Sequence, residues 1–137
     1  MTDMNMHEEP WKPSREELVD SMGRARTQSL FLEVDYSEHA IYTMKDEDHE
    51  YNGKLCRSLK RLYLEMEDVA EYDFATTYFS NWNHWVRICE NKLLKPMVLS
   101  WRHELELKLR SRAAKQMAQE AAKGSIQALK WMADKGW

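Results

Sequence analysis

The chain has 137 residues, 43% of them apolar and 31% charged, with a formal net charge of −3 at pH 7. That length sets one domain, or a small binding unit joined to an assembly unit, with a core of limited size. The net charge argues against a chain that simply coats nucleic acid. No apolar run reaches membrane-spanning length, and the acidic, polar N-terminus has no signal-peptide pattern.

The charge is unevenly spread. Residues 1–50 carry 13 acids and 5 bases (−8), whereas residues 74–137 carry 5 acids and 11 bases (+6). Any phosphate contact is therefore expected from the C-terminal half. Six Trp and nine Met are many for this length and serve partner surfaces as readily as core. Two cysteines, Cys56 and Cys89, fit a soluble protein of a reduced compartment with free thiols.

In chain order, residues 1–13 read as a flexible arm, Met-rich and acidic, with Pro10 and Pro13 around Trp11. Ser14 with Glu17 three residues later is a capping box. It predicts a helix from about Arg15 to Val34, with Leu18, Met22, Ala25, Ser29 and Leu30 along one side and Gly23 weakening its middle. Arg24 and Arg26 are basic residues in an otherwise acidic third. Ala40–Thr43 predicts a short strand, Asp46–Glu50 a solvated acidic turn, and Asn52-Gly53 a hairpin, because both residues tolerate positive φ. Ser58 then caps a helix from Leu59 to about Asp68, with Leu59, Leu62, Tyr63 and Met66 inward.

Glu71–Asn91 predicts two short helices joined by a tight polar break at Ser80-Asn81. The first carries Tyr72, Ala75, Tyr78 and Phe79 inward. The second carries Trp82, Trp85, Ile88 and Cys89 inward and turns Asn83, His84, Arg87 and Asn91 outward. This is the plan of a helix-turn-helix, in which Asn and Arg meet base edges or phosphates. The same pattern equally suits two helices packed in an all-α core. Lys92 and Lys95 extend the basic face. Pro96 opens a long helix, about Met97 to Ala122, with Trp101, Leu105, Leu109, Ala113 and Met117 in one row. Gly124 ends it, and Ser125 caps a short helix with Ile126, Leu129 and Met132 spaced for burial. The resulting helical hairpin is an assembly candidate, or it packs within the chain.

Catalytic chemistry has no comparable signal. His84, Cys89 and His103 fit no compact zinc spacing, and the Asp46–Glu50 run lacks the glycine and distal Glu of a calcium loop. No phosphate-cradling glycine loop is present. No catalytic residue, metal or cofactor is expected.

The order of helix pair, basic long helix and a terminal Gln127-Ala128-Leu129-Lys130-Trp131-Met132-Ala133-Asp134-Lys135-Gly136-Trp137 resembles the small terminase subunits of tailed bacteriophages. Phe74–Tyr78 through Trp82, Trp85 and Ile88–Lys92 also resembles the DNA-binding part of phage packaging proteins. The resemblance runs from Tyr72 onward. It implies a non-enzymatic packaging subunit in the host cytoplasm. Such a subunit assembles as a homo-oligomeric ring, binds double-stranded DNA and presents it to the large terminase subunit. On this sequence, the DNA role falls to Asn83, His84, Arg87, Asn91, Lys92 and Lys95, and the assembly role to Trp101, Leu105, Leu109, Met117, Ile126 and Leu129. The expected fold is mainly α: a helical DNA-binding unit over 14–95 with its helix-turn-helix at 71–91 and a small β-hairpin-like excursion in the N-terminal half, then a helical-hairpin oligomerisation unit over 96–137. A helix-turn-helix transcriptional regulator and a virion connector or scaffold protein are the rival readings.

Overall fold

The computed structural model describes residues 10–135. Residues 1–9 of the expected arm, and Gly136 and Trp137 at the far end, lie outside that span. The fold is mainly helical with a small mixed sheet, and it divides into two compact units, one up to Met97 and one from Val98.

The first unit opens with α1 (Arg15–Leu18), started by the Ser14–Glu17 capping box. The expected helix to Val34 does not continue. Val19 turns extended (φ −126°, ψ 153°) and bridges to Ala25, and Gly23 sits at φ +80° in the turn between them. Asp20 drives this turn. Its carboxylate accepts the N–H groups of Met22 and Arg24, each at 2.9 Å, giving the backbone an alternative to helical bonds. Met22, expected inward, is 76% exposed as a result. A 3₁₀ turn (Gln28–Leu30) and α2 (Leu32–Asp35) follow. Trp11 packs on Tyr42 and Tyr78, with the Arg57 guanidinium over its ring.

The excursion forms a three-stranded sheet of order β1-β3-β2. Strands β1 (Tyr42–Thr43) and β3 (Lys54–Ser58) run parallel, and β2 (His49–Tyr51) pairs antiparallel with β3. Asn52 and Gly53 close the hairpin at φ 51° and 77°, the combination a two-residue turn needs to match the twist of its strands. The acidic run is more than a solvated turn. Asp48 accepts the Ser58 N–H at 2.8 Å and both nitrogens of an Arg61 fork. Burial opposes its ionisation, but the Ser58 N–H and the Arg61 guanidinium outweigh this and hold its pKa below the ordinary carboxylate value.

Ser58 caps α3 (Leu59–Met66), which ends at Glu67 in the left-handed region. The next helices are α4 (Tyr72–Tyr78) and α5 (Trp82–Glu90). Their inward faces hold most of the expected residues, Phe79 included, but Phe74 joins them, Tyr72 and Trp82 leave, and Cys89 is half-buried. Phe74, Ala75, Tyr78, Trp85 and Ile88 are buried, whereas Tyr72 is 60% and Trp82 39% exposed, and those two rings stack on each other. At the start of α4, Asp68 accepts the Phe74 N–H, and the Phe74 side chain enters the core. There its ring centroid lies 5.0 Å from Trp85, 5.1 Å from Tyr63 and 5.2 Å from Tyr78.

The long helix α6 (Lys95–Ala122) starts in the first unit and forms most of the second. Its 28 residues span about 42 Å. Val98, Trp101 and Leu105 are buried, and no α6 residue beyond Leu105 is. Gly124, at φ +94°, breaks the chain before α7 (Ile126–Ala133), which Ser125 caps through the Ala128 N–H.

Candidate nucleic-acid interface

Helix α5 starts because Asn81 is extended and its side chain accepts the His84 N–H at 2.8 Å. Only three residues, Phe79 to Asn81, separate it from α4. Periodicity then fixes what faces solvent. With Trp85 and Ile88 buried, Asn83, Arg87 and Glu90 form one exposed row. Glu90 is the single acid in that row.

The structure removes His84 from the exposed set. It is 1% exposed. Its Nε2 lies 2.6 Å from the Arg26 carbonyl, to which it must donate, and its Nδ1 accepts the Ser80 N–H at 3.2 Å. Phe79 packs edge-on against the ring. The neutral imidazole is thus fully used, tying the 19–26 segment to the start of α5. Burial chiefly lowers its pKa; the Arg26 carbonyl opposes this and Arg87 adds to it. Helical spacing from Trp85 put His84 on the outer face, but residues 84, 85 and 88 all pack inward, because the 19–26 segment covers a flank that spacing alone leaves open.

Asn91 is also engaged. It ends α5, and its side chain accepts from the Leu93 and Leu94 N–H groups and from Gln28. It is a capping residue of the following turn, half-buried. Lys92 and Lys95 are exposed.

Asn83 and Arg87 open into a cleft of about 310 Å³. Its other wall is the N-terminal segment: Arg15 at the start of α1, and Gly23, Arg24 and Ala25 from the Asp20 turn. Ser80, Asn81 and one edge of His84 complete it. Three arginines line this cleft and no carboxylate does. Arg24 pairs with Asp20 at 3.1 Å, while Arg15 and Arg87 have no ion pair among the described residues. Sequence reasoning missed Arg15 and Arg24, because they belong to the acidic third. The only signal there was a pair of bases, Arg24 and Arg26, close to a glycine.

The proposed assembly residues fall into three groups. Trp101 and Leu105 are buried within the single chain, so they are not free to meet a second copy. Leu109 and Met117 are half-buried. Ile126 and Leu129, expected to be buried, are 81% and 52% exposed. On α6, Arg110 pairs with Glu106 one turn away, as a solvated helix face does.

Among the described residues, no cluster of three or more His, Cys, Asp or Glu is placed to hold a metal ion, and no helix is long and apolar enough to cross a membrane. No known protein family, curated protein or solved structure matches the chain.

Proposed function

We propose that this chain binds double-stranded DNA through the exposed row of α5 and acts as a small terminase subunit, assembling in several copies and delivering DNA to a large subunit. The carrying observation is the carboxylate-free cleft where Asn83 and Arg87 meet Arg15 and Arg24, in a chain of net charge −3. Local charge, not net charge, decides where a polyanion docks. The succession of α4, a three-residue connection and α5 supports a helix-turn-helix reading, with Asn83 and Arg87 on the outer face of the second helix. The packaging role rests on the likeness of the C-terminal segment to small terminase subunits. One subunit offers few phosphate contacts, so affinity would come from several subunits on one DNA.

Arg87→Ala is expected to weaken duplex binding about tenfold, the worth of one good arginine contact, with the fold unchanged. A gel or filter assay measures this. Retained affinity would remove Arg87 from the site and favour the second reading, a virion connector or scaffold protein that binds protein. The burial of His84 against the 19–26 segment, which takes one expected DNA contact off the outer face, is the observation that favours that alternative.

Assembly is tested at residues that a single copy leaves uncovered. Ile126→Asp is expected to lower the mass of the particle seen by native mass spectrometry without altering helicity. An unchanged closed assembly would reject this face as the contact. A wild-type monomer or dimer would reject the ring and favour a helix-turn-helix regulator.

A further inference from the structure

The cleft between the 15–25 segment and the start of α5 has features that a general basic surface lacks. It is concave, about 310 Å³, and lined by three arginines from separate parts of the chain: α1, the Asp20 turn and α5. It also receives the start of a nine-residue helix. A helix start leaves its first N–H groups without intrahelical partners; Asn81 caps that of His84, leaving those of Trp82 and Asn83 for solvent or a ligand. In the adjoining cleft, Arg26 has its Nε buried with no hydrogen-bond partner, and it makes no ion pair among the described residues. A partly buried, uncompensated guanidinium raises the positive potential there. The acids nearby are Asp20, committed to Arg24 and its own turn, Glu16 in the adjoining cleft, and Glu90 one turn along α5 from Arg87, none of which lines the cleft.

We propose that this cleft is a discrete binding site for one phosphate-class oxyanion, held by Arg15, Arg24 and Arg87 at the start of α5. Arginine forks match the tetrahedral oxygens in geometry and charge. The ligand is either a DNA backbone phosphodiester or a free phosphate. In its first form the proposal deepens the DNA reading and rests on it. The site also gives the N-terminal segment a role: the Asp20 turn carries Arg24 to the helix pair, and His84 fastens that segment in place.

The test titrates the ¹⁵N-labelled full chain with inorganic phosphate at constant ionic strength, with chloride as the reference anion. Saturable shifts are expected at the Trp82 and Asn83 amides and at the Nε–H groups of Arg15, Arg24 and Arg87. Arg15→Gln and Arg24→Gln should each weaken phosphate binding about tenfold. Both side chains are exposed, so neither change disturbs the core. A parallel titration with duplex DNA over a range of salt separates the two sources. If a backbone phosphodiester is the occupant, Arg15→Gln also weakens DNA binding and reduces the salt slope by about 1. If free phosphate is the occupant, DNA binding is unchanged by Arg15→Gln. Shifts that do not saturate, or that saturate elsewhere on the protein, overturn the site even where Arg87→Ala still weakens DNA binding. Intact phosphate binding with no DNA binding at all supports the site and sinks the DNA reading alone.

Discussion

Trp85→Ala is expected to remove about 3–5 kcal/mol of stability, the usual cost of truncating a large buried aromatic. Trp85 is among the largest fully buried side chains, with its ring against Phe74 and Phe79. Its Nε1–H also donates to the Glu71 carboxyl at 3.0 Å, and Glu71 accepts from the Tyr63 hydroxyl at 2.7 Å on its other oxygen. Truncation therefore opens a cavity and strips a buried carboxyl of a donor in one step. Against a typical total of about 5–15 kcal/mol, such a loss leaves the first unit partly unfolded. Trp85→Phe separates the two contributions. It keeps most of the volume, loses the hydrogen bond, and should cost about 1–3 kcal/mol. Urea midpoints should rank wild type above Phe above Ala. An unshifted midpoint for Trp85→Ala would contradict this description of the core.

The second large effect belongs to His84. Replacing it with Ala orphans the Arg26 carbonyl and the Ser80 N–H, each about 1–3 kcal/mol when buried; Ser80 is only half-buried, so the sum falls near 2–4 kcal/mol. The same residue sets an acid limit. Its folded pKa lies below the ordinary 6.5, mainly through burial, so the unfolded chain takes up its proton first. Its contribution is therefore complete above pH 6.5 and is lost as the pH falls from there through the depressed folded value. Once protonated, Nδ1 can no longer accept from Ser80. Melting temperatures of wild type and His84→Asn across this range form the measurement. The wild type should lose stability more steeply below pH 6.5, and parallel curves would mean that His84 charges without consequence.

Some of this architecture was legible in residue order. Asn52-Gly53, the Ser58 cap and the Gly124 break are local signals whose elements are present, and Ser14 caps a helix, though only as far as Leu18. The failures come from side-chain captures of the backbone that apolar periodicity does not register, and from one long-range contact. Nothing in the 15–34 periodicity reveals that Asp20 captures two backbone N–H groups and turns the chain back. Because that turn was missed, so were the arginines it presents and the cover it places over His84. Tyr72 fits a helical stripe by spacing, but Asp68, outside the stripe, holds the Phe74 N–H at the start of α4, and Phe74 takes the core position. Of the residues read as an outer face, Asn83, Arg87, Lys92 and Lys95 are exposed, while His84 and Asn91 are occupied by contacts with distant parts of the chain.

The long helix has a further consequence. From Glu106 to Ala122 it has no fully buried residue; Leu109, Ala113, Ala114, Met117 and Ala121 are half-buried, and five alanines and the Glu106–Arg110 pair add helix preference. Most helical stability in proteins comes from packing an apolar face rather than from propensity, and over this stretch that packing is partial. In an isolated chain this stretch would fray turn by turn with rising temperature, giving a sloping loss of helicity ahead of the cooperative transition of the first unit. Docking of this stretch on another surface would abolish the slope, making the shape of the pre-transition baseline a direct report of whether α6 has found its partner.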